Sequence, residues 1–424
     1  MVLKRVVVTG MGAITPIGNT AEEFWQSMVT GRSGAGPITL FDTTLFKTKF
    51  ACEVKSYSSE NYFDKKEVKK LDRCSQFGLI ASDEAIADAG LVESKVNGDR
   101  VGAIWATGIG GFETFENELI AYCKGNEVPR FSPFFIVKMI ANMIAGLITI
   151  KYGFKGPSYA TVSACASSNN SIIDGFNLIR LGKSDVIVTG GSEAPITRAS
   201  IGGFNSMKAM SERNDEPTKA SRPFDRDRDG FVMAEGGGAL ILEELEHAKA
   251  RGAKIYAELV GGGLTSDAYH VSATHPQGLG ALKAMKEALE EAGLEPAQVD
   301  YLNMHATSTA MGDRSEIAAV ASLFGEHVRL SLSATKSMTG HLLGAAGGVE
   351  AIAVIKAINT GIIPPTINLD HLVSEIPTYL DLTPNHAGRR EVNVAMSNTF
   401  GFGGHNTTAV FQKYRPRAFL TSSY

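Results

Sequence analysis

Cysteine is scarce in this sequence. Four occur in 424 residues, at Cys52, Cys74, Cys123 and Cys165, and no two stand in a CxxC spacing. That excludes a disulfide framework and a cysteine-built zinc site, and it points to a reducing compartment, the cytoplasm. Charge of either sign is not in excess. The net charge of -4, from 41 basic and 45 acidic residues, argues against general nucleic-acid binding, which shows as a strongly basic domain. Uninterrupted apolar runs of membrane-spanning length are missing too. The most apolar long segment, 134–150, is broken by Lys138 and Asn142. It is expected to be a buried helix, with an oligomer interface as its candidate setting. The chain start, Met1 to Thr9, runs straight into a strand pattern, so no signal peptide is expected.

Three binding motifs are present only in outline. Gly10-Met11-Gly12 follows a strand candidate but lacks the third glycine and the acidic residue of a dinucleotide fingerprint. Thr107-Gly108-Ile109-Gly110-Gly111 lacks the Gly-Lys-Ser/Thr of a phosphate loop. Asp225 to Gly230 alternates Asp with Arg like a calcium loop, but Gly236 stands where the twelfth-position glutamate belongs. No metal site is assigned.

The composition, 44% hydrophobic and 20% charged, is that of a globular chain with ample core. Strands are expected at 5–9, 101–106, 185–189, 238–243, 256–261, 301–304, 329–333, 392–397 and 407–411. Helices are expected at 21–30, 73–89, 168–181, 278–292, 313–324 and 347–360. Continuous apolar strands alternating with helices predict an α/β fold with a mostly parallel sheet covered on both faces. The expected division is an N-terminal half at 1–252, a C-terminal half at 253–412 and a tail at 413–424. Two irregular regions, 31–65 and 211–235, are long enough to carry function.

The chemistry centres on Cys165. It lies in Ser163-Ala-Cys165-Ala-Ser-Ser168, between a β-prone stretch and a helical pattern. A helix N-terminus favours a thiolate there. His305, in Asn303-Met-His305-Ala-Thr307-Ser-Thr309, follows a strand, where α/β sheets build their sites. His341 closes Thr335-Lys336-Ser-Met-Thr-Gly-His341, with Lys336 in the same loop. A third loop, Asn398-Thr-Phe400-Gly-Phe402-Gly403-Gly-His405, offers backbone N–H groups for an oxyanion and two phenylalanines for a gate. One thiol, two imidazoles and a lysine in apolar surroundings suit thioester chemistry, with an enolate held by imidazole N–H groups. Lys65, Lys66, Lys69, Lys70 and Arg73 repeat at helical spacing, which is read either as a solvated face or as one that steers an acidic partner.

These segments resemble β-ketoacyl-[acyl-carrier-protein] synthases, nearest to the synthase II type. Ser221-Arg-Pro-Phe-Asp225, Arg228-Asp-Gly-Phe231 and Ser266-Asp-Ala-Tyr-His270 match as well, and the likeness runs from Val6 to about Phe411. The resemblance implies a thiolase-type fold, two βαβαβαββ halves in a five-layered αβαβα body, acting as a homodimer away from nucleic acid and membrane. It implies a decarboxylative Claisen condensation without a cofactor. Cys165 would carry the acyl chain, and His305 and His341 would assist decarboxylation. Lys336 would organise the histidine loop. N–H groups of Cys165 and Phe402 would hold the oxyanion. Thr307, Thr309 and Gly403 would meet substrate, and Ile109 would line the acyl pocket. Lys65 to Arg73 would dock an acyl carrier protein. Ala306 and His405 depart from the glycine and threonine frequent in the family. A polyketide or aryl-polyene ketosynthase is the alternative; a non-catalytic chain-length factor would lack Cys165, and a thiolase would need a second active-site cysteine.

Overall fold

The computed structural model describes residues 3–326 and 329–415. The expected tail is therefore described only to Arg415; residues 416–424 lie outside the described residues.

Among the described residues, ten strands form one sheet: β1 (Val6–Ile14), β2 (Val101–Ala106), β3 (Ser158–Thr161), β4 (Val186–Glu193), β5 (Gly236–Glu244), β6 (Ala257–Ser266), β7 (Tyr301–Asn303), β8 (Ser331–Ser333), β9 (Val394–Gly401) and β10 (His405–Gln412). Their order across the sheet is β8-β7-β9-β10-β6-β1-β5-β4-β2-β3. Adding five to each label of the N-terminal series β3-β2-β4-β5-β1 reproduces the C-terminal series. The duplication absent from the residues is thus plain in the topology. The halves meet where Val6, Val7 and Val8 of β1 pair with Leu259, Glu258 and Ala257 of β6.

The sheet is mixed, not mostly parallel. Pairing is parallel toward the two edges, at β2–β3, β2–β4, β7–β8 and β7–β9. It is antiparallel through the centre, at β4–β5, β1–β5, β1–β6, β6–β10 and β9–β10. A strand buried on both faces is a continuous apolar run in either direction, so the residues carry no mark of polarity.

Four helices make the layers: α1 (Arg73–Asp88), α2 (Ser167–Arg180), α3 (Leu279–Ala292) and α4 (Ala346–Thr360). α1 covers the outer face of the N-terminal half and α3 that of the C-terminal half, while α2 and α4 touch strands of both. Ile172 and Phe176 of α2 and Val349 and Ile352 of α4 share one core with Leu240, Leu242, Ala409 and Phe411. The stretch Leu343–Thr360 is apolar and long enough to cross a membrane, yet 83% of it is buried inside the protein; it is the middle layer. The expected single buried helix at 134–150 is instead two, Phe135–Met139 and Met143–Tyr152. They break at Ile140, whose backbone is extended, and Ile136 and Ile150 stand 56% and 76% exposed.

Glycine seams set the outer layers. A Cβ on Gly10 or Gly12 would lie 2.2 or 2.1 Å from the carbonyl oxygens of Ala85 and Ala81 in α1. On Gly261 or Gly263 it would lie 2.2 or 1.9 Å from those of Ala288 and Ala284 in α3. Gly10-Met11-Gly12 is therefore a helix-packing device used once in each half. Gly263→Ala is expected to lower unfolding free energy by about 2 kcal/mol or more, against a small change for Gly203→Ala, which has nothing within 4 Å. Chemical denaturation of the two variants compares them.

Candidate active site

Four chain segments leave the sheet at carboxyl ends and meet. β3 ends at Thr161, and Cys165 follows just before α2. β7 ends at Asn303, two residues before His305. β8 ends at Ser333; Lys336 then opens the short helix Lys336–Thr339 that leads to His341. β9 ends at Gly401, and Phe402 starts the turn into β10. Each half supplies part of the site, as the position of the duplicated sheets requires.

The thiol sits on an elbow. Ala164 adopts φ 53, a conformation held by local bonds: Ser163 N–H donates to Ser167 Oγ at 2.9 Å and Ser167 Oγ to the Ala164 carbonyl at 2.6 Å. A Cβ on Gly401 would come within 2.6 Å of the Ser163 carbonyl oxygen and 3.0 Å of the Cys165 nitrogen. Glycine there lets the gate loop lie against the elbow.

His341 Nε2 lies 3.1 Å from Cys165 Sγ. The rings of His305 and His341 stand edge to face, 5.4 Å apart at 86°. Lys336 Nζ is 3.4 Å from His305 Nδ1 and forms a buried ion pair with Glu350. An ammonium only donates, so His305 Nδ1 accepts and its proton sits on Nε2. His341 Nδ1 has no hydrogen-bond partner, so nothing locks that ring's tautomer. Glu316 accepts from the N–H groups of His305 and Ala306 at 2.9 and 2.8 Å and from Asn398 Nδ2 at 3.1 Å. The 211–235 region closes the other side. Phe231 and His341 pack edge to face at 5.5 Å, and the backbone N–H of His341 donates to the Val232 carbonyl at 2.7 Å.

Burial pushes both histidines well below their ordinary value, and the charge on Lys336 adds to it. They are neutral at physiological pH. Burial also pushes the Cys165 thiol up, to about 12; Glu193 raises it further, while Lys336 and the N–H groups of Phe402 and Cys165 pull it down. Burial thus works against the thiolate expected at the helix end.

The other expected residues divide. Phe402 is 37% exposed, and Gly403 is exposed beside it. Phe400, the second phenylalanine expected in the gate loop, is 6% exposed and packs on His305 at 5.6 Å. Thr307 and Thr309 share a 3.1 Å contact between their hydroxyls. Ile109 is partly exposed, and its loop lies close to the elbow, where a Cβ on Gly108 would meet the Ala164 carbonyl oxygen at 3.5 Å. Lys65, Lys66, Lys69 and Lys70 are exposed, but the single basic helix is corrected. It stops at Val68, and Asp72 caps a new one. Arg73 turns inward to a bidentate pair with buried Glu235, at 2.6 and 2.8 Å, stacked over Tyr57 and Phe77. Sequence reasoning missed Glu316 and Glu350. Glu350 left a signal, as an acid within the apolar run Ala346 to Ile355, where a charge needs a buried partner.

Comparison with known proteins gives a consistent picture. Residues 3–248 match the family model "Beta-ketoacyl synthase, N-terminal domain", and residues 256–370 match "Beta-ketoacyl synthase, C-terminal domain". The chain is similar to 3-oxoacyl-[acyl-carrier-protein] synthase 2 of Synechocystis sp., 50% identical over 414 residues, covering 97% of this chain and 99% of that one. Among solved structures it resembles the ishigamide ketosynthase/chain length factor, with a TM-score of 0.91, 33% identity and coverage of 97% and 100%. It also resembles a type II polyketide ketosynthase solved with its acyl-carrier protein, with a TM-score of 0.90, 32% identity and the same coverage.

A thiol held protonated reacts slowly at neutrality. Alkylation of Cys165 by iodoacetamide, followed by peptide mass to separate it from exposed Cys123, is expected to accelerate steadily through pH 10. A plateau near pH 7 would instead show a standing thiolate.

Proposed function

The chain belongs to the β-ketoacyl synthase family, and from that premise we propose that it lengthens fatty acyl chains by two carbons, condensing malonyl-[acyl-carrier protein] with an acyl group carried as a thioester on Cys165. The observation that carries this is the 3.1 Å approach of His341 Nε2 to Cys165 Sγ, with His305 across the same pocket.

In the first half-reaction Sγ attacks the acyl thioester carbonyl. The oxyanion rests on the N–H groups of Cys165 and Phe402. The carrier thiolate leaves and receives the thiol proton, with His341 Nε2 as relay. In the second, malonyl thioester loses carbon dioxide, and its thioester oxygen, now an enolate, is held by ring N–H groups of His305 and His341. Neutral imidazoles suit that role, since they stabilise developing charge by donation without releasing a proton to the carbanion. The carbanion attacks the acyl-enzyme, a carbon–carbon bond forms, and Cys165 leaves as thiolate and takes up a proton from solvent water. Lys336 takes no proton; it orients His305 and lowers the basicity of both rings.

The fatty-acid reading is favoured over a polyketide one by the 50% identity to a synthase 2, against 32% to the type II polyketide ketosynthase. The carrier protein, acidic by this proposal, docks on Lys65, Lys66, Lys69 and Lys70, without Arg73. A homodimer is supported by the exposed apolar side chains of Phe131, Ile136, Val137 and Ile140 and by the exposed Tyr159 and Val162 at edge strand β3. The proposed halves, 1–252 and 253–412, divide between the two family matches. Four free cysteines accord with a cytoplasmic setting.

Cys165→Gln is expected to lose acyl transfer yet keep malonyl decarboxylation; loss of both by carbon dioxide release assays would refute separate roles for thiol and histidines. Lys65→Glu with Lys69→Glu is expected to weaken carrier-protein binding about tenfold at low salt, by calorimetry, with the effect shrinking as salt rises. Unchanged affinity would return these lysines to an ordinary solvated face.

A further inference from the structure

The loop Thr107-Gly108-Ile109-Gly110-Gly111 has the outline of a phosphate loop without its lysine. Its backbone does cradle an anion, and the anion is the chain's own. Glu193, at the end of β4, is fully buried. Its Oε1 accepts from Thr107 Oγ1 at 2.7 Å and Ile109 N–H at 3.2 Å. Its Oε2 accepts from Gly108 N–H at 2.7 Å and Gly344 N–H at 2.9 Å. Thr107 Oγ1 in turn accepts from Gly110 N–H at 2.9 Å, and Gly111 N–H donates to the Met139 carbonyl at 3.0 Å. Every N–H of the loop from Gly108 to Gly111 is thereby used.

Four donors converge on two oxygens, which only a carboxylate satisfies. The approach is close enough to demand glycine. A Cβ on Gly108 or Gly344 would lie 2.9 or 2.6 Å from Glu193 Oε2, and one on Gly344 would lie 2.2 Å from Gly108 N. One side of this anchor is Ile109. The other is Gly344, three residues beyond His341. No other described group ties these two loops to one atom pair.

We propose that Glu193 is a positioning residue for acyl-chain selection, fixing Ile109 and the His341 loop to one anchor so that the space beside Cys165 has a set depth. This rests on the reading that Cys165 carries the acyl chain and Ile109 lines its pocket. The carboxylate touches no substrate. It acts through the loop, as a bound phosphate would order a phosphate loop. A glutamine in its place has one acceptor oxygen, and its amide NH2 faces the N–H of Ile109 in one orientation or those of Gly108 and Gly344 in the other, so one of the two loops is released.

The test uses the full chain, a ladder of acyl-carrier proteins from short to long, and intact mass to read adduct formation on Cys165. Glu193→Gln is expected to change the ratio of long-chain to short-chain acylation rates by about tenfold. Thr107→Val removes one donor and one acceptor without burying a charge, and is expected to change the ratio in the same direction by about threefold. Circular dichroism and thermal melting establish that each variant is folded. Rates that fall by one common factor at every chain length overturn the proposal, because a purely structural role predicts that. An unchanged ratio in Thr107→Val overturns it even where Glu193→Gln fails to fold. Absence of any adduct on Cys165 in the unsubstituted protein refutes the underlying nucleophile assignment instead, and so is told apart.

Discussion

The site depends on one buried charge. Lys336 and Glu350 are both almost without exposure, and removing such groups from water costs on the order of several kcal/mol each. Their pairing offsets part of that. Burial still pushes the Glu350 carboxyl up, to about 7. What the charge provides is a fixed field beneath two imidazoles. It faces Nδ1 of His305, so Nε2 must carry the proton. It disfavours protonation of both rings, which keeps them neutral. It also draws the Cys165 thiol toward ionisation against the opposing effects of burial and Glu193. The titration of the thiol and of both histidines is thus set by a balance of burial with the Lys336 charge.

That balance needs rigid placement, and the duplicated sheet provides it. Cys165 comes from the N-terminal half; His305, Lys336, His341 and Phe402 come from the other. The β1–β6 seam and the shared helices α2 and α4 hold the halves as one body. α4 supplies Glu350 from the middle layer, so the charge that tunes the histidines is mounted on the element that joins the sheets. Buried acids then tie the loops down: Glu316 under His305, Glu193 under Ile109 and Gly344.

Local pattern and spacing determined a good deal. The expected strand at 101–106 coincides with Val101–Ala106, because a short apolar run between glycine- and polar-rich segments has few other uses. The family and its chemistry were legible in Cys165, His305, Lys336 and His341, because thioester chemistry demands those side chains on short loops, and each loop carries its own local signature. What the residues could not show was strand direction, since an apolar strand buried on both faces reads alike either way. Nor could they show that 134–150 breaks in two, or that Arg73 turns inward to Glu235, 162 positions away. The protonation of Cys165 was also decided by tertiary structure. A helix end acts within one turn and is visible in sequence, whereas desolvation is summed over every element that closes the pocket. Partners distant along the chain, such as Lys336 with Glu350 and Glu193 with Gly344, exist only once the fold brings them together.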